Sequence, residues 1–254
     1  MSLRTTRNVF LSALTLAVLA GCSGPGGNAA GGGPDAPSRR SVGGSGGEPA
    51  LGARGDSPRE IPGLGARTGA ELPADAAQAV VVTGEAADSA TNTVVRYERG
   101  PDGVWQTVGE PWSGHNGLKG WSDHHVQGDL RSPVGVFGLT DAGGLLANPG
   151  TRLPYDEGGG FTAQGAGSQG EPLAGSFDYV IAVNYNRKPG TTPLDWTRPM
   201  GTERGGGIWI HVDHDGPTQG CVSLPKDRMA ELLRWLDPAR QPVVVMGDRE
   251  SLGR

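Results

Sequence analysis

Residues 206–225 read Gly-Gly-Ile-Trp-Ile-His-Val-Asp-His-Asp-Gly-Pro-Thr-Gln-Gly-Cys-Val-Ser-Leu-Pro. The run from Ile208 to Val212 alternates in the manner of a strand with one buried face. Period two puts Ile208, Ile210 and Val212 on one side and Trp209 and His211 on the other. Asp215-Gly216-Pro217 marks a tight turn. The chain then returns through Thr218-Gln219-Gly220-Cys221, which predicts Cys221 beside His211.

Such a pair has a chemical use. A thiol is a weak nucleophile until it loses its proton, and a neighbouring imidazole can take that proton. Gly220 permits close approach of backbone to a ligand. The amides of Gly220 and Cys221 are the expected donors to an oxyanion. Asp213, Thr218 or a backbone carbonyl is expected to orient the imidazole of His211, and His214 is the alternative base. The competing reading is a buried structural cysteine, since free Cys is among the most buried residue types. A zinc site built from His211, His214 and Cys221 fits poorly, because residues three apart on a strand do not share a face.

The residues resemble the L,D-transpeptidase (YkuD-type) family. Ile210-His211 followed by Thr218-Gln219-Gly220-Cys221-Val222 is similar to its His and Ser/Thr-x-Gly-Cys blocks. Gly128-Asp129-Leu130-Arg131-Ser132-Pro133-Val134-Gly135-Val136-Phe137 is similar to its Gly-Asp-x-x-Thr-Pro-x-Gly-x-Phe segment. Ser223 stands where the family usually has Arg, and Gln219 where it often has His. The resemblance implies a Cys221 nucleophile with His211 as base, an acyl-enzyme thioester, and cross-linking of peptidoglycan stem peptides. It implies no cofactor and no metal, and carbapenem-type β-lactams as inhibitors. Two other readings stay open at this point: an L,D-carboxypeptidase and a non-catalytic peptidoglycan-binding lipoprotein.

The start of the chain reads as a targeting segment. Arg4 and Arg7 precede an apolar run over residues 9–20, too short for a comfortable span. Leu19-Ala20-Gly21-Cys22 resembles a bacterial lipobox, which implies lipidation of Cys22 and an extracytoplasmic, membrane-anchored protein facing the cell wall. With two cysteines in the chain, Cys221 is then the only free thiol. Residues 23–76 are rich in Gly, Pro, Ser and Ala and read as a disordered linker. Residues 77–248 form the expected catalytic domain, and 249–254 a tail.

Within that domain, strands are expected over residues 78–83, 93–98, 104–108, 134–139, 177–185, 208–212 and 242–246. Gly100-Pro101-Asp102-Gly103 predicts a hairpin turn. Met229, Leu232, Leu233 and Leu236 keep helical spacing after Pro225, and Asp237-Pro238 ends that helix. Without βαβ alternation, the expected fold is mostly β: a mixed β-sandwich with one or two short helices, which the resemblance also implies. Residues 141–177 are Gly-rich and predict a binding loop, best marked at 148–155. His124 and His125 are adjacent and face opposite ways on a strand, so at most one meets a cleft. Tyr155, Trp196 and Trp209 read as packing aromatics. The net charge of −5 gives no basic stripe for nucleic acid, and no phosphate-binding Gly-rich loop occurs.

Overall fold

The computed structural model describes residues 59–254. The targeting segment, Cys22 and the linker up to residue 58 lie outside the described residues.

The elements run in the order α1 (Ala66–Ala70), β1 (Gln78–Gly84), β2 (Thr91–Arg99), β3 (Trp105–His115), β4 (Trp121–Ser122), β5 (Ser132–Pro133), β6 (Gly135–Gly144), β7 (Tyr155–Glu157), β8 (Val180–Val183), β9 (Trp209–Val212), β10 (Val222–Leu224), α2 (Lys226–Trp235), β11 (Val243–Asp248) and α3 (Arg249–Leu252). Nine strands make one sheet in the order β11-β1-β2-β3-β10-β9-β8-β6-β7. β6 also pairs with β11, so the sheet returns on itself. Parallel pairs (β1 with β11, β9 with β10) sit among antiparallel ones, so the fold is mostly β and mixed, as expected.

Two hydrophobic clusters hold it. The larger gathers Val80, Val82, Ile210, Val212, Val222 and Leu224 with Met229, Leu232 and Leu233 of α2 and Leu236 just past its end. The smaller gathers Ala79, Val81, Val243 and Val245 with Ile61 and Leu252. β1 is thus buried on both faces, which is why it reads as a continuous apolar run instead of an alternating one. Each fully buried Leu of α2 contributes about 2 kcal/mol by area. The helix follows β10 directly, so its packing anchors the strand that begins one residue after Cys221. Arg96 of β2 also reaches α2, 2.8 Å from Glu231, with its guanidinium 4.0 Å from the Trp112 ring centre.

Several boundaries differ from the expectation. The domain starts before residue 77. Ile61 is buried, and Gly65 N donates to Leu252 O at 2.8 Å. The stretch is Gly- and Pro-rich, but its few apolar side chains cover the outer face of β1 and β11. Residues 249–254 are likewise no free tail: α3 buries Leu252 there, and Asp248 caps it by accepting from Ser251 N. β3 extends past residue 108 to His115. Gly109 to Pro111 looks like a strand end, yet the structure absorbs these residues as a bulge between the Val108 and Trp112 pairings. β8 is shorter than expected, because Phe177 turns away to line a cavity.

Candidate active site

Ile208, Ile210 and Val212 enter the larger core, which leaves His211 on the opposite face of β9. The return to β10 is not a hairpin. Residues 213–221 loop over, and β10 runs parallel to β9, with Val222 opposite Ile210 and Ser223 opposite His211. So short a parallel connection is unusual. It needs Asp215 at φ +62° and Gly220 at φ +143°. A Cβ at Gly220 would stand 3.0 Å from Arg131 O. Thr218 shapes the end of this loop: its Oγ1 donates to Cys221 O at 2.7 Å and accepts from Gly220 N at 3.1 Å. Ser132 Oγ donates to the same carbonyl at 3.2 Å and accepts from Gly117 N at 2.9 Å. The block at residues 128–137 therefore acts as the support beneath the cysteine loop.

Cys221 and His211 line one cavity of about 270 Å3, together with His214, Thr218, Ser176 and Phe177. The hydrogen bonds of the sulfur are to backbone: Sγ accepts from Trp209 N at 3.4 Å and donates to Gly207 O at 3.6 Å. Cys221 is partly exposed through the cavity, yet burial pushes its thiol up to about 11, only partly opposed by the Trp209 amide. His211 is 3% exposed, and burial pushes it down to about 4. Burial thus favours the neutral form of both groups, against the ionised sulfur expected from the sequence.

The tautomer of His211 follows from its contacts. Nδ1 lies 2.9 Å from Val212 O. A carbonyl only accepts, so Nδ1 carries the proton and Nε2 keeps its lone pair. A backbone carbonyl orients the ring. Asp213 and Thr218, the expected side-chain orienters, bond elsewhere. Asp213 accepts from His115 Nδ1 at 3.0 Å and from Ser223 Oγ at 3.0 Å. The Gly220 amide is also taken, by Thr218 Oγ1, which leaves the Cys221 amide of the expected oxyanion pair.

His214, the alternative base, stacks on His211 with ring centres 5.7 Å apart. Its Nδ1 faces Glu171 Oε1 at 3.4 Å, and both side chains are at least nine-tenths covered. Hydrogen bonds from backbone amides hold the Glu171 carboxyl below its usual range. Ala163, Gly167, Ser168 and Leu173 join Ser176 and Phe177 in the cavity wall. The part of the Gly-rich segment that borders this cavity is thus residues 163–177. The expected stretch at 148–155 packs elsewhere: Tyr155 donates to Leu146 O, and Arg152 pairs with Asp237.

Of the adjacent histidines, His124 is exposed and His125 is buried against Asp129 at 2.9 Å, with its ring edge-on to Tyr185. His125 backs the Gly220 turn and does not line the cavity. Trp209 packs edge-on against Phe177, whereas Trp196 is 80% exposed and is not a packing residue. Among the described residues, no three His, Cys, Asp or Glu side chains gather as a metal site. Sequence reasoning missed His115, Ser132 and Glu171. His115 lay beyond the apparent end of β3, and Ser132 stood in a recognised block without a role. Glu171 had no periodicity to mark it.

A mixed sheet that brings a cysteine and a histidine into one covered cleft defines the class of this domain. The family model for the L,D-transpeptidase catalytic domain (YkuD) matches residues 81–245, and the chain belongs to that family. It is a transpeptidase-type family of cell-wall biogenesis, with peptidoglycan stem peptides as its substrates. No curated protein matches the sequence.

Proposed function

We propose that this protein is a peptidoglycan L,D-transpeptidase in which Cys221 is the nucleophile and His211 the base. The observation that carries the reading is the meeting of an uncommitted imidazole Nε2 and a thiol in one cavity. Because both groups rest neutral, the proton leaves sulfur as the S–C bond forms, not beforehand. Sγ attacks the carbonyl of a diaminopimelate-type residue that precedes a terminal D-Ala, and His211 Nε2 takes the thiol proton. The Cys221 amide faces the developing oxyanion. The C–N bond then breaks, and the amine of D-Ala leaves with the proton from His211. A thioester remains. An amine of a neighbouring stem attacks it and gives its proton to His211. The C–S bond breaks, and the proton returns to sulfur. No cofactor enters the cycle.

The N-terminal sequence supports a lipoprotein reading: lipid on Cys22, a Gly-, Pro-, Ser- and Ala-rich segment after it, and a catalytic head facing the wall from the outer side of the membrane.

Carbapenem-type β-lactams present a strained carbonyl to the same thiol. Intact mass after incubation tests the nucleophile. The expected result is an adduct on wild type and none on Cys221→Ala. An adduct on both, or on neither, sinks the proposal.

A further inference from the structure

Val212 sits where β9 outruns its neighbour. β8 pairs with β9 from Ala182 opposite Trp209 to Val180 opposite His211. The Val212 carbonyl therefore lies beyond that ladder and is available to His211 Nδ1. The peptide joining residues 212 and 213 is planar and trans, so its N–H and C=O point in opposite directions. Its N–H donates to Leu224 O at 2.7 Å. Whatever fixes residue 213 fixes the direction in which the Val212 carbonyl points.

The side chain of residue 213 is held from two strands. His115 Nδ1, at the end of β3, lies 3.0 Å from each carboxylate oxygen of Asp213. Ser223 Oγ, on β10, donates to Oδ1 at 3.0 Å. Ser223 pairs with both His115 and His211 across the sheet, so the three residues share one cross-strand row. Ser223 is fully buried and Asp213 is 14% exposed, so the Ser223 bond is covered, while the His115 bond borders a groove.

We infer that His115, Asp213 and Ser223 are positioning residues for the catalytic base: they lock residue 213 so that the Val212 carbonyl holds His211 in its Nδ1–H tautomer, with Nε2 facing the substrate. The inference rests on His211 being the base. None of the three touches the cavity that holds Cys221. The charge of Asp213 also favours the protonated ring, against the larger effect of burial. The row explains why a small hydroxyl suits position 223: it donates once and fills no space beneath the carboxylate.

Nitrogen chemical shifts of 15N-histidine-labelled full-length protein report the tautomer directly, without turnover. Wild type is expected to show His211 protonated at Nδ1 alone. Asp213→Ala is expected to show a mixture of tautomers and a kcat lowered about tenfold with KM unchanged, a part of the roughly 10²–10⁴-fold a positioned base supplies. Asp213→Asn should recover the tautomer better than Asp213→Ala does, since Ser223 and His115 can both still donate to its one remaining oxygen. It should recover kcat only in part, because the charge is gone and an NH2 replaces the second oxygen facing His115. Asp213→Ala with wild-type tautomer overturns the inference, whatever its activity. If that variant fails to fold, Ser223→Ala and the partly exposed His115→Gln take its place, and wild-type tautomers in both overturn it equally. Loss of the carbapenem adduct on wild type would remove the enzymatic reading while leaving the tautomer measurement to stand on its own.

Discussion

Two cavities meet the stretch from His211 to His214. One, of about 270 Å3, is lined by His211, His214 and Cys221; the other, of about 490 Å3, is lined by Asp213 and His115 with Thr83, Thr93 and Ser113. Each has an imidazole, and they take different residues of this stretch: His211 and His214 line the smaller, Asp213 the larger. The larger is an open groove of hydroxyls, with Thr83, Thr93 and Ser113 in register across three strands. The smaller is roofed by residues 163–177 and shifts both its thiol and its imidazole away from their ordinary proton affinities. Size does not mark the reactive site here. Burial around a nucleophile does, because low solvation is what moves proton affinities and strengthens every dipole aimed at the reacting atom.

The sharpest way to break this contrast is to remove the sulfur. Cys221→Ala should abolish cross-link formation, read as stem-peptide dimers by mass spectrometry, whereas Thr93→Ala in the larger groove should leave turnover within about twofold. Next comes the base. His211→Gln should lower kcat by roughly 10²–10⁴-fold. His214→Gln should cost less than about tenfold, because its Nδ1 is turned to Glu171. A reversed order would hand the role to His214.

Burial of the neutral His211 ring has a pH signature. Its folded affinity, about 4, lies below the unfolded value of 6.5. The unfolded chain therefore binds more protons between these values, and stability present above pH 6.5 is lost as pH falls toward 4. The loss is roughly 3 kcal/mol at 1.36 kcal/mol per unit. Urea unfolding of wild type across that range should show it, and His211→Gln should flatten it. For the thiol the direction reverses. Alkylation of Cys221 in the free protein should stay slow at pH 8 and rise toward about 11; fast labelling at neutral pH would mean a preformed thiolate. The smallest effect is at the roof. Glu171→Gln keeps the shape but removes the charge facing His214, and should change turnover by only about two- to fivefold, with the pH dependence of that change as the readout.

Much of the site was legible in the chain. The alternation of residues 208–212 assigned His211 to the face away from the core, and the spacing of Met229, Leu232, Leu233 and Leu236 assigned the helix behind β10. Both are local periodicities, and local periodicity survives in a sequence. The bulge at Gly109 to Pro111 hid the rest of β3, and His115 with it, because Gly and Pro together read as an end of structure. The linker boundary failed for a related reason. Ile61, Leu64 and Leu72 are sparse in their own segment and count as core only once β1 and β11 stand beneath them.

The order of residues alone determined which faces His211 and Trp209 occupy on β9 and that Cys221 returns close to that strand, since period and turn chemistry act over a few neighbours. Only the tertiary structure decided that β10 lies parallel to β9, that the Val212 carbonyl meets the His211 imidazole, and that burial favours the neutral forms of His211 and Cys221. Those depend on distant segments, the 128–137 support, His115 and the 163–177 roof, displacing water from one small volume. Solvation at a point is a property of everything packed around it, and no short stretch of chain encodes it.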